Sequence, residues 1–148
     1  MDSISIEKIL STFKLTKNNF CGVYACNQLP KRIKKGCFII VNSDPSYMAG
    51  QHWFAIYFKN NTCYFFDTFG RKPQNKFIIE FIKNNSNILK YNSTKIQNIY
   101  SINCGIYCIL FITFISKGFN PDFFIQLFCK DTHYNEKLIE TLYKKIFK

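Results

Sequence analysis

The sequence predicts an α+β fold in which a mixed, mostly antiparallel sheet packs against one central apolar helix, and three observations carry that prediction. The first is a pair of apolar runs, His52–Phe58 and Thr62–Asp67, separated by Lys59-Asn60-Asn61, the pattern of a β-hairpin. The second is the stretch Asn103–Ser116, nearly all apolar, which reads as a helix buried on every side. The third is composition. Of 148 residues 47% are hydrophobic and 18% aromatic, with 17 Phe and 9 Tyr, so a filled core is available and wholesale disorder is excluded. A chain of this length suits one domain, expected to run over residues 1–148.

Each element follows from local pattern. Ile6, Ile9, Leu10 and Phe13 recur at helical spacing and predict a short amphipathic helix at the start. Gly22 and Pro30 mark a loop, and the basic cluster Lys31-Arg32-Ile33-Lys34-Lys35 follows it. Cys37–Asn42 is strand-like and closes at Ser43-Asp44-Pro45. In the hairpin, unbroken hydrophobicity implies strands covered on both faces. Pro73 is expected to open a helix whose face carries Phe77, Ile78, Phe81 and Ile82. Tyr91–Ile99 reads as one more strand. Gly118 punctuates the end of the apolar helix, and two amphipathic helices follow, over 121–129 and 135–147. The apolar helix is too short to span a bilayer, and Met1–Lys8 reads as a polar helix start rather than a secretory signal.

Charge points to a partner. The balance of 20 Lys+Arg against 9 Asp+Glu gives +11, a field suited to a polyanion such as nucleic acid. Lys31, Arg32, Lys34 and Lys35 are the candidate phosphate-contacting patch, although the same cluster also reads as a solvated turn before a strand. Part of the lysine excess also fits the Lys-, Asn- and Ile-rich usage of AT-rich coding sequence. The seven cysteines lack a C-x-x-C pair, and only two histidines exist, so the ligand spacing of known zinc modules is missing and no metal is assigned. Most of the thiols are expected to be free and to behave as small buried hydrophobes.

One set of residues carries chemistry. A free cysteine has a pKa of about 8.5, so it needs help to become the nucleophilic thiolate at neutral pH. Cys104 opens the apolar helix, where the positive helix end favours a thiolate, and Gly105 lets the backbone there approach a substrate closely. Counting outward from Asn60, His52 lies eight residues back and Asp67 seven forward, so the hairpin brings an imidazole and a carboxylate together at its open end. An imidazole oriented by a carboxylate is the base that such a thiol requires. Gln97, seven positions before Cys104, and the Cys104 N–H are candidate oxyanion donors. Trp53 would wall the substrate cleft. The rivals are weaker: His133 sits in a polar segment between helices, Asp44 reads as a turn former before Pro45, and Cys108, one turn beyond Cys104, reads as core.

These residues resemble a known family. The blocks Gly50-Gln51-His52-Trp53, Cys63-Tyr64-Phe65-Phe66-Asp67-Thr68-Phe69-Gly70, Gln97 and Asn103-Cys104-Gly105-Ile106-Tyr107-Cys108 are similar to the adenovirus maturation protease (adenain) family, with relatives in virophages and Maverick/Polinton-type elements. Phe20–Tyr24 and Cys37–Asn42 extend the resemblance. It implies a papain-like fold with His52 as base, Asp67 as acid member, Cys104 as nucleophile and Gln97 as oxyanion donor. It also implies a viral cysteine endopeptidase, a monomer, that cleaves precursor capsid or core proteins at Gly-containing sites in the virion and the infected cell. SUMO-type proteases share the residue order, which keeps an isopeptidase acting on a ubiquitin-like modifier as an alternative. A non-enzymatic, basic nucleic-acid-binding module on a degenerate protease fold is the other. An activating peptide or DNA is expected by the same resemblance. Ile88–Gln97 contains no cysteine where the adenoviral enzymes link covalently to their peptide, so a disulfide-linked activator is not expected.

Overall fold

Asn60 and Asn61 adopt left-handed φ values of 51° and 60°, forming the two-residue turn whose twist matches the strands it joins. Asparagine visits this region at little cost, which is why a glycine is not needed here. The turn fixes Lys59 opposite Thr62, and pairing runs from there to Ala55 opposite Phe66. The computed structural model, which describes all 148 residues, builds the rest of the sheet on this hairpin.

Five strands lie in the order β1 (Phe20–Ala25), β2 (Phe38–Asn42), β3 (Trp53–Lys59), β4 (Thr62–Phe66) and β5 (Ile88–Tyr91). In the centre β3 runs antiparallel to both β2 and β4, and β1 and β5 join the two edges in parallel. Five helices accompany them: α1 (Ser3–Thr12), α2 (Lys76–Asn85), α3 (Cys104–Ser116), α4 (Pro121–Gln126) and α5 (Thr132–Phe147). None is long and apolar enough to cross a membrane.

The double coverage expected of the central strands is present. Phe38 and Ile40 of β2 face a core shared with α3, Ile6 and Leu10 of α1, Phe124 of α4 and Ile139 of α5. The alternate residues Cys37, Ile39 and Val41 face a second core closed by Ile78, Phe81 and Ile82 of α2. α3 is buried on nearly all sides, and Phe111 stacks flat on Phe66 at 4.5 Å. The sheet thus grips the helix that carries Cys104, and burial of such large rings supplies most of the hold.

Three sequence expectations shift. The segment around Gly22 is strand β1 rather than loop; Gly22 at φ 124° accompanies a register break between Phe20 and Val23 that obscures the alternation. α2 begins at Lys76, not at Pro73, because the Asn75 side chain accepts from the N–H groups of Phe77 and Ile78 and so caps the helix there. Phe77 points outward, leaving Ile78, Phe81 and Ile82 as the packed face. Finally, β5 ends at Tyr91, where a strand was expected to begin, and residues 92–103 form an irregular strap held by side-chain hydrogen bonds.

The strap presses on the turn after β4. Gly70 has φ 69°, and a Cβ there would lie 2.6 Å from the Thr94 carbonyl carbon and 2.9 Å from the Lys95 nitrogen. Gly70→Ala therefore meets both an unfavourable backbone conformation and a backbone clash, and should lower stability by about 1–3 kcal/mol. Urea unfolding checks this; an unchanged midpoint at unchanged slope would mean that the strap yields freely.

Candidate active site

The end of β2 sets the first member. The Ser43 N–H donates to the His52 carbonyl at 2.8 Å, which fixes the residue just before β3. The His52 ring stacks on Phe69 at 4.9 Å and meets Phe54 edge-on at 5.0 Å. Its Nε2 lies 2.8 Å from Asp67 Oδ1. In the hairpin register Asp67 continues opposite Phe54, two places off His52, so the carboxylate reaches the ring diagonally while Phe69 covers it.

Asp67 is almost wholly buried, and every direction around it is filled. Oδ1 also accepts from the Phe69 N–H at 3.0 Å, and Oδ2 accepts from Arg71 Nε at 3.1 Å. The Arg71 guanidinium lies over the Phe69 ring. Asn92 pins the Asp67 backbone from the strap, accepting its N–H at 3.1 Å and donating to its carbonyl at 2.5 Å. Burial pushes the Asp67 carboxyl up, but the bonds from His52 and Phe69 with the Arg71 charge outweigh it and hold the carboxyl below its ordinary range. His52 is moved the other way. Burial lowers it, while Asp67 and Cys104 more than compensate and raise it.

Cys104 begins α3 beside the imidazole. Nε2 is engaged by Asp67, which leaves Nδ1 for the thiol. Burial works against the thiolate, yet contact with His52, the Trp53 N–H and the Gly105 N–H together bring the Cys104 pKa down. Other buried thiols behave oppositely: burial pushes Cys37 up to about 12, and also raises Cys63 and Cys108. Cys108 donates to the Trp53 carbonyl at 3.5 Å in the core, as its position one turn on suggests. Cys104 is therefore distinguished by its neighbours rather than by burial.

Gln97 is buried in the strap with its side chain fixed at both ends. Thr68 Oγ1 donates to its Oε1 at 2.6 Å, and its Nε2 donates to the Ser101 carbonyl at 2.9 Å. An Nε2 group has two hydrogens, so one remains for the cleft. That cleft has a volume of about 940 Å³ and is lined by His52, Trp53, Gln97 and Cys104, among others. All four candidate catalytic residues therefore converge; Asp67 is the one behind the wall.

Other sequence candidates are placed differently. Trp53 lines the cleft, but its indole N–H donates to the Met1 carbonyl at 3.1 Å, tying α1 to the site. Gly105 does not line the cleft. Its Cβ direction meets Met1, Ile6 and Trp53, so its smallness serves the packing of α1. His133 lies in the first turn of α5, its N–H bound by Asp131, rather than in a loop. Asp44 reaches the cleft wall, while the bond to His52 belongs to Asp67. The basic patch sits at the hairpin-turn end, opposite the active-site end, where Lys34 and Lys35 share a groove with Lys59. There Arg32 bonds the Asn84 carbonyl and Lys34 the Asn18 carbonyl. Asn92 and Ser101 carry no sequence signal, because single polar residues in a polar segment form no pattern, and Thr68 has no role assignable from the block that contains it.

A thiol at a helix start, an imidazole held by a buried carboxylate and a mixed sheet with a buried helix define a cysteine peptidase of the papain-like class. The family model described as adenovirus endoprotease matches residues 20–126, and the chain belongs to that family. Among solved structures it is similar to the ASFV pS273R protease, with a TM-score of 0.67 at 16% identity, over 99% of this chain and 67% of that one. A second structure of that protease, with selenomethionine, gives 0.49 at 19% identity over 70% of this chain and 43% of the other. No curated protein sequence matches.

The opposed shifts give a pH signature. A lowered thiol loses its proton earlier as pH rises, and a raised imidazole keeps its proton longer, so the pH window for the ion pair widens from both sides. Iodoacetamide should alkylate Cys104 with a midpoint below that of an ordinary cysteine. His52→Ala should move the midpoint back up and slow the reaction at neutral pH; an unmoved profile would show that His52 does not act on the thiol.

Proposed function

We propose that this chain is a viral or virus-like cysteine endopeptidase that cleaves precursor capsid or core proteins during virion maturation. The observation that carries the reading is the buried Asp67–His52 pair beside a thiol brought below its ordinary pKa. His52 Nδ1 takes the Cys104 proton, and Sγ attacks the scissile carbonyl carbon. Gln97 Nε2 and the Cys104 N–H receive the oxyanion. The imidazolium then protonates the leaving amine as the C–N bond breaks, leaving a thioester. Water, deprotonated by His52, hydrolyses the thioester and restores the thiol. Asp67 keeps the ring oriented throughout and is itself never protonated.

Gly-containing cleavage sites, an active monomer, and action within the virion and infected cell belong to the same proposal, supported by family membership. Activation by a peptide or DNA is proposed as non-covalent. The exposed edge strand β5, with Ile88, Leu89 and Tyr91 outward, offers backbone groups a peptide strand can pair with. Lys31, Arg32, Lys34 and Lys35 are the proposed DNA contact, with Lys34 and Lys35 in a groove separate from the cleft.

Co-expression with a candidate capsid precursor, followed by mass spectrometry of the new termini, tests the main reading. Cleavage should vanish in Cys104→Ala, and Gln97→Ala should retain a rate about two to three orders of magnitude lower. Processing that survives Cys104→Ala would end the peptidase proposal. Release of a Gly-Gly-linked modifier without capsid cleavage would replace the substrate. DNA affinity should fall steeply with salt, and Lys34→Ala with Lys35→Ala should each shallow the log–log slope by about one. Salt-insensitive binding would reduce the patch to composition.

A further inference from the structure

The strap between Gln97 and Cys104 is irregular backbone, and irregular backbone needs outside support to hold a geometry. Here the support converges on one half-buried side chain of α5. Glu136 Oε1 accepts from the Asn98 N–H at 3.0 Å and lies 3.2 Å from the Tyr107 hydroxyl, which is also 3.3 Å from the Ile96 carbonyl. Oε2 accepts from Ser101 Oγ at 2.8 Å and from Asn103 Nδ2 at 2.9 Å. The carboxylate is thus bound to the residue after Gln97, to the residue whose carbonyl holds Gln97, and to the residue before Cys104.

The Asn103 contact has a chemical consequence. Asparagine is among the best N-capping side chains, yet Asn103 makes no capping bond at the start of α3. Its amide is turned to Glu136, with Glu140 Oε1 at 3.4 Å. The first intrahelical bond is that of the Tyr107 N–H to the Asn103 carbonyl at 3.1 Å, so the earlier N–H groups have no partner within the helix. Among them is the Cys104 N–H, the candidate oxyanion donor. A capped helix start would offer fewer of them.

Docking of α5 does not need Glu136. Its neighbour Asn135 is fully buried and donates to the Ile96 carbonyl at 3.0 Å and the Cys129 carbonyl at 2.7 Å, while Ile139 fills the core. The hydrogen bonds of the Glu136 side chain go to the strap and to Tyr107. We propose that Glu136 is a positioning residue that sets the oxyanion site, by orienting Gln97 through Asn98 and Ser101 and by keeping Asn103 off the helix start. This rests on the peptidase reading, within which it assigns a role to a residue that does not line the cleft.

The test separates formation of the thiolate from stabilisation of the oxyanion. Alkylation of Cys104 by iodoacetamide needs the first alone; hydrolysis of a peptidyl-Gly-Gly aminomethylcoumarin amide needs both. Glu136→Gln keeps the volume but loses acceptor capacity. It should alkylate within about twofold of wild type, with the same pH midpoint, while kcat falls about tenfold or more and KM stays nearly constant. In a Gln97→Ala background the same change should cost clearly less than it does alone, as coupled residues do. Ser101→Ala, which leaves α5 untouched, should show the same split more weakly and decides the matter if Glu136→Gln does not fold. Hydrolysis within twofold of wild type, parallel loss of alkylation, or effects that simply multiply would each overturn the proposal. Wild-type protein that alkylates at Cys104 but hydrolyses no peptide would instead remove the peptidase reading, and this inference with it.

Discussion

The register of the β3–β4 hairpin is the constraint on which the site depends. A slip of one residue would turn every side chain of a strand to the other face, exchanging the α3 core for the α2 core. Because both faces of these strands are buried, such a slip would misplace large rings on two sides at once. The Asn60-Asn61 turn at one end and the ring stack of Phe69 on His52 at the other hold the same register. The His52–Asp67 contact is a consequence of that pairing. It would be costly to assemble from independent loops, since each partner would have to be ordered and desolvated separately.

Burying a carboxylate and a thiolate near one another is unfavourable unless donors and a cation intervene. The structure supplies them by geometry of the main chain more than by added charges. Asp67 receives a backbone N–H from Phe69 and the imidazole, with Arg71 closing the outer side. For Cys104, His52 and the nearby Trp53 and Gly105 N–H groups bring the thiol pKa down against its burial. Main-chain donors anchored in a strand and a helix cannot rotate away, so the thiolate is stabilised without reorganisation when the reaction begins.

Much of this was legible in the sequence, and the rest was hidden for identifiable reasons. The hairpin and α3 announced themselves because long apolar runs dominate local propensity. His52, Asp67 and Cys104 stood out because each sits at the end of such a run. The beginning of α2 differs from the expectation set by Pro73 because the side-chain cap at Asn75 fixes it. β1 was hidden by the register break beside Gly22. A strand was expected over Tyr91–Ile99, yet from residue 92 on the backbone is satisfied by Glu136, Thr68 and other groups distant in sequence. Such long-range side-chain bonds leave no periodic trace.

Separation of charge and chemistry gives the molecule a polarity. The lysines of the hairpin-turn end and the acid–base pair of the open end lie at opposite ends of β3 and β4, seven and five residues long. At about 3.3 Å per residue, strands of this length exceed the screening length of about 8 Å at physiological salt. A polyanion held on the lysines would therefore act little on the ionisation of Cys104 through direct Coulomb forces. Any influence on the thiol would have to pass through the packed sheet, or through holding a substrate near the cleft. The buried arrangement of His52, Asp67 and the two backbone donors thus sets the reactivity of Cys104 locally, and the net charge of +11 acts outside that arrangement.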